Sequence, residues 1–167
     1  PTDTPTNTPT PTNTPTVTPT PGRFCPEDDD AVLTKWVDPS QPAGGNNYQT
    51  VQAAYDAAVN GDVIGLFTGN NLQENVVLGG AKTLTITQCT TAKLTAANPA
   101  LPVWTVSSTG VLTIIGPDSV GGTIGWNITT NNHELKSIRA YGASQYGVLI
   151  LGNNVSVSLN EVGSSDA

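Results

Sequence analysis

The sequence predicts an all-β fold, a parallel β-helix (solenoid) with an N-terminal capping helix and an extended Thr/Pro stalk. Three observations carry this reading. Charged residues are only 11% of the 167, too few for the polar outer faces of a helical bundle, while Gly, Thr, Asn and Val, which suit strands and tight turns, dominate. One helix-patterned segment is followed only by strand-like runs, and the joints between those runs recur along the chain. The opening 22 residues alternate Thr with Pro and lack the apolar side chains needed for a core.

The chain divides into a stalk (1–22), a joining segment (23–47) and a β-helix domain (48–167). In the stalk, Thr occupies every even position: Thr2, Thr4, Thr6, Thr8, Thr10, Thr12, Thr14, Thr16, Thr18 and Thr20. Pro fills most odd positions and removes backbone donors, so polyproline II is the expected local state. In that state the segment reaches roughly 65–70 Å. Polyproline II has three residues per turn while Thr recurs every two, so the hydroxyls spiral around the axis. That arrangement suits O-glycans on all sides, and Thr/Pro-rich composition is a signature of O-glycosylated stalks. The competing reading is a plain linker.

In the joining segment, Glu27, Asp28, Asp29 and Asp30 form an acidic run. Its spacing is not that of a calcium loop, and a solvated turn is the expectation, with no metal. The runs at 31–33 and 36–37 read as a first strand or cap, followed by a loop marked by Pro39, Pro42, Gly44 and Gly45. Cys25 and Cys89 lie outside any redox or zinc spacing. They read as a disulfide pinning the stalk base to the body, or as two buried thiols. Closing so long a loop contributes about 4 kcal/mol in the chain-entropy account.

Residues 48–59 place Val51, Ala54, Tyr55 and Ala58 on one helical face, and Asn60-Gly61-Asp62 ends that helix. Paired strand-like runs follow, with joints at Gly79-Gly80, Thr109-Gly110, Asn131-Asn132 and Asn153-Asn154. The last two joints are 22 positions apart, about one coil of a solenoid. Gly and Asn tolerate the left-handed backbone a sharp corner needs. A capping helix would stop edge pairing at the first coil. No cap is evident after the final run, so further coils or another subunit are expected there. Beginning at Pro1 and stopping just after a strand-like run, the chain reads as part of a longer product.

The run Thr50-Val51-Gln52-Ala53-Ala54-Tyr55-Asp56-Ala57-Ala58, then Gly61-Asp62-Val63-Ile64, Gly69 and Glu74-Asn75-Val76, resembles the opening of pectate-lyase-like right-handed parallel β-helices. That resemblance implies the fold and its hand over the cap and first coils. It does not imply an activity, because the fold hosts many. The Thr/Pro stalk resembles the repeats of bacterial surface proteins and glycan-coated extracellular fibrils.

The low charge content and the net charge of −7 argue against nucleic-acid binding, which needs a basic patch. No apolar run reaches the length of a membrane span. Polysaccharide-cleaving members of the fold carry Asp, Arg and Lys on one outward strand face. The corresponding cluster here is Asp118, His133, Glu134, Lys136, Arg139 and Glu161, with Glu134 and Lys136 on one strand face. No neighbouring coil supplies paired carboxylates, so these read as solvated charges, no catalytic residue is assigned and no cofactor is expected. Trp104 and Trp126, 22 positions apart, read as a vertical stack inside the coil in preference to a sugar platform. Asn127 and Asn154 open N-glycosylation sequons, Asn127 as an inward ladder residue and Asn154 at a corner. The expected function is structural: a subunit or segment of an extracellular or cell-surface glycoprotein fibre that self-associates or attaches to further coils. A carbohydrate-active or carbohydrate-binding protein and an adhesin passenger are the alternatives.

Overall fold

The structure is a computed structural model that describes residues 23–25, 31–69 and 72–163. The Thr/Pro segment and the acidic run lie outside the described residues. The chain enters through β1 (Arg23–Cys25), β2 (Ala31–Leu33), β3 (Lys35–Val37) and β4 (Asn47–Tyr48), then α1 (Val51–Ala57). It continues with β5 (Val63–Leu66), β6 (Leu72–Gln73), β7 (Val76–Leu78), β8 (Leu84–Gln88) and β9 (Lys93–Thr95). The next strands are β10 (Trp104–Val106), β11 (Leu112–Ile115), β12 (Asp118–Val120) and β13 (Ile124–Ile128). Last come β14 (Glu134–Tyr141), β15 (Tyr146–Ile150) and β16 (Ser156–Gly163).

Apart from the antiparallel β1–β2 ladder, every pair of strands is parallel. One sheet runs β7-β10-β13-β15. The other is ten-stranded and is joined into one by β14. The first half of β14 pairs with β11 and its second half with β12. Ser137, at φ 52°, turns the strand between the two halves. In the preceding turn of the chain Gly116, at φ 92°, sits at the same corner, its N–H donating to the Lys136 carbonyl at 2.9 Å. Each partner thus lies about one turn of chain further on, giving large parallel sheets consistent with a solenoid-like fold.

The sequence joints become stacked corners. The Thr109 N–H donates to the Gly80 carbonyl at 2.7 Å and the Asn153 N–H to Asn131 Oδ1 at 2.6 Å. Asn154 Nδ2 donates to Asn132 Oδ1 at 2.8 Å. Asn132 and Asn154 take φ 66° and 54°, the left-handed backbone these residue types tolerate.

Inward residues alternate with outward ones, and register stacks them into columns. Val76, Trp104, Trp126 and Val148 form one; Leu78, Val106, Ile128 and Ile150 form another. Trp104 and Trp126 are fully buried and stacked, with ring centroids 4.7 Å apart and planes 7° apart. Asn127 lies between buried Trp126 and Ile128, on the opposite, partly exposed side of β13, so it is not an inward ladder residue. Among the described residues, no helix is long and apolar enough to cross a membrane.

Candidate functional site

The two ends of the parallel sheets are finished differently. At the first end, α1 lies across the core with Val51, Ala54 and Tyr55 buried. Thr50 caps it, its side chain accepting from the Ala53 N–H at 3.1 Å. The helix stops at Ala57, short of Gly61, because Ala58 turns to extended backbone while remaining buried. Glu74 accepts the Val51 and Gln52 N–H groups at 2.9 and 2.8 Å, satisfying two helix-end donors. Burial pushes the Glu74 carboxyl above its usual range despite those bonds.

The free edge of β7 is sealed by side chains of α1. The Val77 N–H donates to Gln52 Oε1 at 2.7 Å and Gln52 Nε2 donates to the Val77 carbonyl at 3.0 Å, so one amide replaces a strand. Tyr55 Oη donates to the Gly79 carbonyl at 2.7 Å, and Lys82 Nζ donates to the Tyr55 carbonyl at 2.6 Å.

The opposite end has no such seal among the described residues. β15 pairs only with β13 and β16 only with β14. Tyr146, Val148 and Ile150 occupy the register of buried Ile124, Trp126 and Ile128. Yet Tyr146 is 54% and Ile150 43% exposed, and Leu151 beside them is 65% exposed. Val148, Val155 and Val157 pack on the core but stay partly buried. Core positions therefore reach the surface beside an unpaired strand edge, a combination that favours pairing with another strand.

Outside the sheet, β1 and β2 form a small cover over β5. Leu33 packs on Gly65, where a Cβ would collide with the Leu33 methyl groups. Cys25 and Cys89 are disulfide-bonded across a sequence separation of 64 and are buried with Leu33. Such a bond points to an oxidising compartment. Arg23 pairs with Asp38 at 2.9 Å and stacks over Phe67 at 3.5 Å. Burial pushes the Asp38 carboxyl up, but the Ser40 hydroxyl and the Arg23 guanidinium outweigh it and the net shift is downward.

The candidate catalytic cluster is not assembled as one site. Asp118 is only 6% exposed and pairs with Arg139 across adjacent strands at 2.9 Å. Register places Lys93, Asp118, Arg139 and Glu161 on successive strands, alternating in charge. Glu134 and Lys136 do share a strand face and pair at 3.0 Å, both solvent-exposed. His133 is buried. The Leu112 N–H donates to its Nδ1 at 3.3 Å, so the proton sits on Nε2, 2.9 Å from the Thr130 hydroxyl oxygen. Burial lowers its pKa, with a hydrogen bond to the Ser108 backbone acting the other way. The geometry is that of a neutral structural histidine. Among the described residues, no three His, Cys, Asp or Glu side chains converge as metal ligands.

A polar groove of about 190 Å³ lies along the stacked corners, lined by Thr109, Thr129, Thr130, Asn131 and Asn132. Much of its polar equipment is already engaged: Thr129 and Thr130 hydroxyls donate to the Val106 carbonyl, and Asn131 and Asn132 accept from the next corner. Of the sequon residues, Asn154 is exposed at its corner and Asn127 is partly exposed. The ten stalk threonines, Thr2 to Thr20, lie outside the described residues. The charge ladder and the edge-sealing role of Gln52 escape a reading of the sequence, since both depend on register between distant strands.

Compared with protein-family models, with curated proteins and with solved structures, the chain matches none of them.

Proposed function

We propose that this chain is a structural segment of an extracellular, glycan-bearing protein: a right-handed parallel β-helix on a Thr/Pro stalk, extended through its C-terminal edge. The observation that carries the reading is the open column end. Among the described residues, Tyr146, Val148 and Ile150 hold core register without a covering strand, whereas the opposite end is sealed by α1 and Gln52. A further coil or another copy of the chain would bury these side chains and pair the edge. The disulfide supports an oxidising, extracellular setting, and the stalk composition supports O-glycosylation. Light scattering of the purified chain across a concentration series tests the association. Growth in mass that an Ile150→Lys variant suppresses supports association between copies; a monomer throughout counts against it and leaves a further coil as the covering element. An unmodified mass for residues 1–22 from the native source would remove the glycan part alone.

A second reading, carbohydrate binding, rests on the groove of hydroxyls and amides at Thr109, Thr129 and Asn131. It ranks below the first because these groups already bond within the corners.

A further inference from the structure

The stalk joins the body at β1, and the way β1 is held determines where a pull on the stalk is felt. The β1–β2 ladder pairs Arg23 with Leu33, Phe24 with Val32 and Cys25 with Ala31. A pull on the residues before Arg23 opens this ladder from the Arg23–Leu33 end and loads its pairs one after another. The next elements are short: β3 makes three register pairs with β5, and β4 makes two with β3. The helix α1 has seven residues and buries only three of them. Peeling along the chain would therefore remove the seal at the first end before loading the larger sheets. The Arg23–Asp38 ion pair is partly exposed and offers modest resistance.

The disulfide changes this path. Cys25 is the last residue of β1, and Cys89 immediately follows β8. The covalent route from the stalk towards β9–β16 therefore runs from Cys25 directly to Cys89. Residues 26–88, which contain α1 and β2 to β8, hang as a closed loop beside that route. Both cysteines are buried beside Leu33, on the outer face of β5, so the link is shielded from solvent thiols while β1 stays docked.

We propose that Cys25–Cys89 is a tension bypass. Load drawn along the stalk enters the body at Cys89 and leaves the capping helix and the first strands of the sheets unloaded. The inference rests on the proposed stalk function only for the direction of load. Failure of the chain to self-associate would leave it standing.

Single-molecule stretching of the full chain, held by enzymatically attached handles at its two ends, tests this. The oxidised protein should unfold without releasing the 64-residue separation between the cysteines. A Cys25→Ser/Cys89→Ser variant should gain an additional roughly 210–230 Å of contour length, at about 3.3–3.6 Å per residue. That increment should come first, at lower force than the remaining unfolding. Should the variant fold poorly, reduction of the oxidised protein while held under load should release the same length in one step. Two results would overturn the proposal. One is the full contour length from the unreduced chain, which would mean that Cys25 and Cys89 are not bonded and that no bypass exists. The other is an extra increment, in the variant or after reduction, that appears only with or after the main unfolding, which would mean the looped segment needs no protection.

Discussion

The indole of Trp104 lies flat on that of Trp126, ring centroids 4.7 Å apart, at equivalent positions of adjacent parallel strands. The stack is fully buried, and Trp126 Nε1 donates to the Arg139 carbonyl at 3.2 Å, tying the core column to the opposite sheet. Truncating Trp126 to Ala leaves a cavity and removes one of two donors to that carbonyl, the Ser119 hydroxyl at 3.2 Å being the other. The expected loss is about 3–5 kcal/mol, read as a lower urea midpoint, with loss of the near-ultraviolet signal of paired indoles.

Gly65 is the point where the β1–β2 cover meets the sheet. A methyl group there meets Leu33 and, at 2.9 Å, Cys89 Sγ. Gly65→Ala should cost about 1–3 kcal/mol through overpacking. Limited proteolysis should then cut near residues 26–34 faster than in the native protein. An unchanged cleavage rate would mean that the cover is not held by this contact.

How much of this was legible in the residues depended on whether the signal was local. Val51, Ala54, Tyr55 and Ala58 announced the capping helix through spacing alone, and the structure buries all four, although the helix itself ends at Ala57. Asn131-Asn132 and Asn153-Asn154 announced stacked corners, since a left-handed corner restricts residue type wherever it occurs. The third strand of each turn was not legible: Leu72–Gln73, Lys93–Thr95 and Asp118–Val120 are two or three residues long, too short for periodicity. The strand from Glu134 to Tyr141 is bent at Ser137 between two partners. Nothing local marks Ser137, whose residue type does not signal a positive φ. The site fared similarly. Separate sequence positions did not reveal that Asp118 and Arg139 neutralise one another across strands.

That ion pair and the Glu134–Lys136 pair should behave differently when cut. Asp118 is buried, so Arg139→Ala removes an ion pair made by a buried carboxylate and should cost on the order of 2–3 kcal/mol. Lys136→Ala removes an exposed pair and should cost less than about 1 kcal/mol. Parallel denaturation curves of the two variants decide it, and equal costs would contradict the difference in burial.

His133 makes stability depend on pH in a defined sense. Burial lowers its pKa in the folded protein below the unfolded value of about 6.5. Its contribution is therefore fully present above that value and is lost as pH falls through it towards the lower folded pKa. Glu74, whose pKa is raised, acts oppositely: its contribution is full below about 4.5 and is lost as pH rises through its folded value. Comparing Tm of the native protein with His133→Gln isolates the histidine, because Glu74 is common to both. The native Tm should fall relative to the variant as pH drops below about 6.5. Curves that stay parallel would refute a buried neutral His133.

The β15–β16 edge is proposed as the surface through which the protein is extended. Hydrogen exchange of the backbone amides in Tyr146–Ile150 and Ser156–Gly163, followed across a concentration series, tests it directly. Amides on the unpaired side of these strands should exchange quickly in dilute solution and become protected as concentration rises, while those of Val76–Leu78, sealed by Gln52, stay unchanged. Edge amides that exchange at the same fast rate at every concentration, in protein that nevertheless associates, would place the contact elsewhere and contradict the claim.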